Sequence, residues 1–187
     1  MAYKAIVIGS SAGGLIALKT IILGLRKDFM LPIIIVQHIS PHSDSFMARY
    51  FNQISPLHVK EADEREPVRS GHVYLAPPNF HLLVEEDQTL SLSVEEKVNF
   101  SRPSIDILFE TASYVWGKHL IGIILTGANN DGASGLEKIA RAGGLAIIQS
   151  PESAEVPIMP MSAMDHCPTA LILPLNDIPD YLNKINQ

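Results

Sequence analysis

"IVIGSSAGGLIAL", residues 6 to 18, decides the fold. An apolar run gives way to Gly9-Ser10-Ser11-Ala12-Gly13-Gly14, after which Leu15, Leu18, Ile22 and Leu25 recur every three or four positions. Strand, tight turn and amphipathic helix in that order open a βαβ unit. The first strand is expected over Lys4 to Ile8. Strand-like runs then alternate with amphipathic segments along most of the chain, the pattern of an α/β fold with a mostly parallel sheet.

Outward from that stretch, "PIIIVQH" is apolar throughout, as a strand covered on both faces would be. The next helix carries Phe46, Met47, Tyr50, Phe51 and Ile54, with Ser43 as its expected N-cap. "VYLAPP" (Val73 to Pro78) is a third strand ended by prolines. Leu82 to Glu85 and Thr89 to Val94 flank a polar turn at Asp87 and read as a small antiparallel hairpin appended to the core. In "SRPSIDILFETASYVW", Pro103 is expected in a first helical turn, and Ile105, Leu108, Phe109, Ala112 and Val115 form the buried stripe. The strand "LIGIIL" precedes a helix from about Ser134 to Ala142, closed by Gly143-Gly144. "LAIIQ", a proline-rich loop with a short helix, a short "LILPL" strand and the helix "NDIPDYLNKI" complete the chain. The acidic run in "KEADEREPVRS" is read as a solvated loop.

With 187 residues, 47% of them hydrophobic and 18% charged, the chain can bury one sizeable core and is read as a single domain over 1–187. A net charge of −6 argues against nucleic acid or anionic membrane as partner, since both need a basic footprint. Cys167 is the only cysteine, which excludes an internal disulfide, fits a reducing compartment, and is read as a buried small hydrophobe. The N-terminus lacks the apolar core of a signal peptide, and no stretch reaches the ~20 apolar residues of a membrane span. A cytoplasmic protein without membrane insertion is expected.

The glycine-rich turn is either a phosphate cradle or a platform for serine. A dinucleotide fingerprint needs G-x-G-x-x-G and an acidic residue ending the second strand. Ser11 stands where the second glycine belongs, and the second strand ends in Gln37-His38. A Walker loop needs a lysine that does not follow Gly13-Gly14. No nucleotide cofactor is expected. His42 follows His38 by four, but the intervening Pro41 opposes the helix that would pair them on a metal, so no metal is expected either.

The serine reading keeps its chemistry. In an open parallel sheet the loops leaving the carboxyl ends of strands share one edge, where sites form. Ser10-Ser11 leave the first strand, His38 the second, and Asp131 lies in the loop after "LIGIIL". A serine hydroxyl needs a neighbouring base to take its proton during attack. His38 is that base, Asp131 its orienter, and the backbone N–H groups of Ala12, Gly13, Ala128 and Asn129 are candidates for an oxyanion hole. The order Ser, His, Asp matches no familiar serine hydrolase, but triads are defined by geometry and role. Spacing does not choose between Ser10 and Ser11. Simpler roles compete: Ser11 as a helix cap, Asn130 or Asp131 as the cap of the following helix, and His38 as a satisfied polar residue at a strand end.

Taken together, "AIVIGSSAGGLIAL", "IIIVQHISP", "VYLAPPNFHLLV", "RPSIDILFETAS", "GIILTGANNDGASGL" and "GGLAIIQSPESAEVPIMPMSAM" resemble the catalytic domain of the chemotaxis protein-glutamate methylesterase family, in order over roughly residues 4 to 175. The resemblance implies a doubly wound, mostly parallel α/β sheet with a small antiparallel hairpin. It implies hydrolysis of glutamate γ-methyl esters on chemoreceptors, releasing methanol, with related deamidation of glutamine. The family's catalytic serine, histidine and aspartate fall on Ser11, His38 and Asp131.

Three positions depart from the family pattern. Ala12 replaces a threonine after the serine, Ala128 a methionine before the aspartate, and Met161 the arginine of a Met-Pro-Arg segment. The resemblance also implies an N-terminal receiver domain, yet this sequence opens at the first catalytic strand, as a fragment or a freestanding member under a separate regulatory protein would. The expected partner is a methylated receptor protein. The competing reading from another class is a catalytically silent binding module of the same fold; a nucleotide-binding domain ranks third.

Overall fold

The computed structural model describes residues 2–40, 42 and 44–185. Along the chain run β1 (Ala5–Ser10), α1 (Gly14–Gly24), β2 (Ile33–Gln37), α2 (Phe46–Ile54), β3 (His58–Glu61), β4 (Glu66–Pro67), β5 (His72–Leu75), β6 (His81–Val84) and β7 (Thr89–Ser93). They are followed by α3 (Ile105–Trp116), β8 (Leu120–Ile124), α4 (Ala133–Arg141), β9 (Leu145–Gln149), α5 (Ile158–His166), β10 (Leu171–Leu173) and α6 (Asp177–Ile185). Seven strands form a parallel sheet in the order β10-β9-β8-β1-β2-β5-β3. β1 is central, with Val7 beside Ile34 of β2 on one side and Gly122 of β8 on the other.

Alternate residues of these strands feed two cores. Val7, Ile34, Val36, Ile124 and Ile148 pack with Leu108 and Phe109 of α3, Leu136 of α4 and Met159 of α5. Ile6, Ile8, Ile33, Ile35 and Ile147 pack on the opposite face with Leu18 and Ile22 of α1, Phe51 of α2 and Leu182 of α6. Burial on both faces explains why β1 and β2 read as continuous apolar runs. The expected doubly wound sheet is therefore present. After β1 the chain builds outward through β2 to β5 and β3, then returns to β8 on the other side of β1, so consecutive crossovers diverge at the β1–β8 boundary, the switch point at which open α/β sheets form their sites.

Several local expectations are corrected. The hairpin is β6 and β7, with Leu82 opposite Leu92, but β4 adds a third strand. The acidic run is accordingly not all solvated loop: Lys60 and Glu61 belong to β3, which pairs with β5, and Glu66 to β4. These strands are too short for alternation to show, and Lys60 Nζ ties the intervening turn by donating to Asp63 Oδ2 at 2.7 Å and Glu66 Oε1 at 2.8 Å. Leu15 is 42% exposed, because the buried stripe of α1 runs through Ala17, Leu18, Ile21 and Ile22 and leaves Leu15 on its flank. Pro103 precedes α3, which starts at Ile105 after Ser104. β1 extends to Ser10, two residues beyond the expected strand end. Ser43 lies outside the described residues; the Asp44 carboxylate accepts the Phe46 N–H at 3.1 Å at the start of α2. Cys167 is buried, as expected of a small hydrophobe.

Candidate active site

β1, β2 and β8 end at the same edge of the sheet, and the side chains just beyond them meet there. Ser10, the last residue of β1, is fully buried and donates its hydroxyl to Gln37 Oε1 at 2.6 Å. Gln37, the last residue of β2, donates Nε2 to the carbonyls of Ser11 and His38, each at 2.9 Å. One side-chain amide thus fixes the backbone of both residues. This reach requires Gly14, whose hypothetical Cβ would lie 1.8 Å from Gln37 Oε1. Gln37 drew attention in the sequence only for not being acidic; its structural role had no local signal.

Ser11 does not cap α1. The N-cap position is Gly13, held at φ 78°, and no side chain caps the helix. The Ser11 N–H donates to Thr126 O at 3.0 Å, which ties the first turn to the loop after β8. Among the described residues the Ser11 hydroxyl has no hydrogen-bond partner, and the residue is half-buried. Ser10 and Ser11 therefore differ sharply: one hydroxyl is buried and occupied, the other accessible and free.

Asp131 is fully buried and does not cap its own helix, whose N-cap position is Gly132. Its carboxylate reaches the start of α3. Oδ2 accepts the Ile105 N–H at 2.7 Å, while Oδ1 accepts the Ser104 hydroxyl at 2.9 Å, the Asp106 N–H at 3.1 Å and the Asn99 amide at 3.1 Å. Oδ2 also accepts from His38 Nε2 at 2.8 Å. Burial pushes this carboxyl up, but the bonds from His38, Ile105 and Asn99 prevail and hold it below the usual carboxylate range. Neither Asn99 nor Ser104 was singled out in the sequence; both act across long separations.

The His38 ring is fixed from two sides. Because a carboxylate accepts at Nε2, the proton sits on that nitrogen, leaving the Nδ1 lone pair to accept the Asn129 amide at 3.2 Å. The pair His38–Asp131 is therefore assembled, and Ser11 shares their rim, but no hydrogen bond joins the Ser11 hydroxyl to the imidazole. Among the described residues no protein acceptor takes the N–H of Ala12, Gly13, Ala128 or Asn129, so all four candidate oxyanion donors are available. Thr126 Oγ1 donates to Ala12 O at 2.8 Å and accepts the Val156 N–H at 2.9 Å, holding the two donor loops together. No group of three or more His, Cys, Asp or Glu among the described residues is placed to hold a metal ion.

Residues 6–182 match the family description CheB methylesterase. The chain belongs to the CheB methylesterase family. By that membership it is an enzyme of the methylesterase class. The crystal structure of the Thermotoga maritima CheB methylesterase catalytic domain matches with a TM-score of 0.93 at 35% identity, covering 99% of this chain and 100% of that one. A Leptospira interrogans protein provisionally named protein-glutamate methylesterase/protein-glutamine glutaminase is 52% identical over 187 residues, 100% of this chain and 97% of that protein. Protein-glutamate methylesterase/protein-glutamine glutaminase 4 of Geobacter metallireducens is 39% identical over 162 residues, 86% of this chain and 47% of that longer protein. Among the described residues no helix is long and apolar enough to cross a membrane.

Proposed function

We propose that this CheB-family methylesterase hydrolyses glutamate γ-methyl esters on chemoreceptor-type proteins in the bacterial cytoplasm and also deamidates glutamine, with Ser11 as nucleophile, His38 as general acid and base, and Asp131 as its orienter. The observation that carries the residue assignment is the His38–Asp131 bond of 2.8 Å, its carboxylate fully buried, at the strand edge that also bears a serine hydroxyl without a partner among the described residues. Ser11 Oγ attacks the γ-carbonyl carbon as its proton passes to His38 Nδ1, the nitrogen facing away from Asp131; the Asn129 amide yields that lone pair. The tetrahedral oxyanion is stabilised by N–H groups drawn from Ala12, Gly13, Ala128 and Asn129. Collapse breaks the carbon–methoxy bond, and His38 returns the proton so that methanol leaves. Water then attacks the acyl-serine with His38 again as base, freeing glutamate and Ser11. With glutamine as substrate the leaving group is ammonia.

Methanol release from a blocked glutamate γ-methyl ester tests the assignment. Replacing Ser11 or His38 with alanine costs on the order of 10⁶ in turnover, as in other serine triads. A serine-directed phosphonate labels Ser11 stoichiometrically. Wild-type turnover in Ser11→Ala overturns the assignment, and absence of labelling favours a silent binding module.

A further inference from the structure

Between β7 and α3 the chain reverses tightly, and Val98 and Ser101 exchange backbone hydrogen bonds of 3.2 and 2.9 Å. The two residues at the tip, Asn99 and Phe100, have φ of 49° and 60°. A two-residue hairpin with both central residues left-handed suits Asn followed by Gly. Asn99 conforms, whereas the Phe100 Cβ is forced against its own carbonyl, a strain of roughly 1–2 kcal/mol. Burial commonly offsets such strain. Phe100 is instead 98% exposed, so the ring gains nothing from the fold and leaves its whole apolar surface in water. Strained backbone and an unpacked aromatic on one residue point to a contact outside the chain.

The position of the turn says what that contact is. Phe100 walls a cleft of about 120 Å³ together with His38, Ile39, Lys97 and Pro103. That volume accommodates a side chain rather than a folded segment, so the backbone bearing the side chain must lie across the rim, where Phe100 stands. The mount is stiff. Asn99 Nδ2 bonds Asp131 Oδ1 at 3.1 Å and Asp106 Oδ2 at 2.8 Å, so the tip is keyed to the carboxylate that holds His38. Arg102 braces the base of the turn by donating to the Glu95 carbonyl at 2.8 Å and, through Nη2, to Asn79 Oδ1 at 2.9 Å.

We propose that Phe100 is a specificity-determining residue that packs on the polypeptide flanking the ester-bearing side chain, while that side chain enters the cleft beside His38. The inference rests on the hydrolase reading above. It distinguishes a protein substrate from a free amino-acid ester, because only the former extends to the ring.

Two probes separate the cases: a helical peptide carrying one glutamate γ-methyl ester between leucine and alanine neighbours, and a blocked single-residue glutamate γ-methyl ester. Burying one aromatic ring corresponds to about tenfold or more in affinity, so Phe100→Gly raises KM for the peptide by about that factor. Its kcat on the peptide changes little, and the rise in KM for the single-residue ester is smaller than for the peptide, because that ester meets the ring only as a cleft wall and has no flanking polypeptide to pack on it. Gly also relieves the left-handed strain, so the melting temperature is unchanged or higher. Phe100→Ser keeps the strain but loses the ring; it shows the same peptide KM and a melting temperature below that of Phe100→Gly. An unchanged peptide KM, or an equal loss on both substrates, overturns the proposal. Should the wild type release methanol from neither probe, the hydrolase reading fails instead. Peptide binding by fluorescence anisotropy then still decides the role of Phe100: weakened binding in Phe100→Gly supports it, and unchanged binding refutes it.

Discussion

Asp131 and Asp106 cap each other's helices. Asp131 leads into α4, but its carboxylate accepts the Ile105 and Asp106 N–H groups that open α3, at 2.7 and 3.1 Å. Asp106, in the first turn of α3, accepts the Gly135 N–H in the first turn of α4 at 2.6 Å. Each helix start offers unpaired N–H groups and the positive end of its dipole, so each carboxylate is favoured there. The exchange brings two acids close together, and Asn99 bridges them with one amide. The proposed orienter of His38 is thus also a structural cap shared by two helices.

Substitution of Asp131 therefore affects both rate and stability. In Asp131→Asn an amide replaces the carboxylate, the His38 tautomer is no longer enforced, and turnover falls about 10⁴-fold. The remaining carbonyl oxygen still accepts one helix N–H, which limits the stability loss to about 1–3 kcal/mol. Asp131→Ala removes every acceptor and strands buried donors, with a loss of about 3–5 kcal/mol. Urea denaturation beside methanol release measures the two effects separately; equal stability of the two variants would refute the shared-cap role.

Acid should loosen the same junction. Asp131 is held below the unfolded value of 3.8, so its contribution is fully present above that pH and is lost as pH falls through the depressed folded value. Asp106 runs the other way. Burial first, and the neighbouring Asp131 charge, raise its carboxyl despite the Gly135 N–H, so its contribution is favourable at low pH and lost as pH rises through the raised value. Asp106→Asn keeps an acceptor for Gly135 and removes the repulsion, so relative to wild type it should gain more stability at pH 7 than at about pH 3, below the unfolded value of 3.8. Urea midpoints at the two pH values check this; an unchanged difference would mean that Asp106 does not oppose Asp131.

How far the sequence disclosed this site depends on distance along the chain. The placement of Ser11, His38 and Asp131 at one edge was legible because each lies in a loop that follows a strand, and a parallel sheet delivers such loops to one edge. Local spacing left Ser10 and Ser11 equivalent; only Gln37, 27 positions from Ser10, makes one hydroxyl structural. The capping reading of Asp131 named the right interaction on the wrong helix. A local rule looks to the residues that follow, whereas Asp131 bonds α3, 26 positions earlier at Ile105. β3 and β4 were missed because edge strands of four and two residues pair through backbone and carry almost no side-chain pattern.

The two serines should dissociate stability from activity. Ser10→Ala removes the only donor that the described residues offer to a buried amide oxygen, a loss of about 1–2 kcal/mol, while turnover stays within a few-fold of wild type. Ser11→Ala removes a hydroxyl that bonds none of the described residues, so stability moves by less than about 0.5 kcal/mol while methanol release disappears. Thermal melts paired with a turnover assay check both, and the reverse pattern would exchange the roles assigned to the two hydroxyls.

Gly14→Ala sets helix propensity against a side-chain network. Gly14 begins α1, and its φ lies outside the left-handed region. Alanine should therefore stabilise the helix by up to about 1 kcal/mol. The added Cβ, however, would lie 1.8 Å from Gln37 Oε1 and 2.9 Å from Ser10 Oγ, so the amide must withdraw. Withdrawal strands the Ser10 hydroxyl and the His38 carbonyl and leaves the Ser11 carbonyl only the Gly14 N–H, at about 1–3 kcal/mol for each buried group left unpaired. The network outweighs the propensity, and the variant is less stable than wild type. Gln37→Leu leaves Gly14 intact but loses the same bonds, so its turnover should fall in parallel, by about 10–100-fold, because small displacements of reacting groups carry large rate penalties. Methanol release and urea midpoints for the two variants and their double mutant complete the test. If Gln37 is the route by which Gly14 acts, the double mutant is no worse than the poorer single variant, and additive losses would show that Gly14 matters through some other contact.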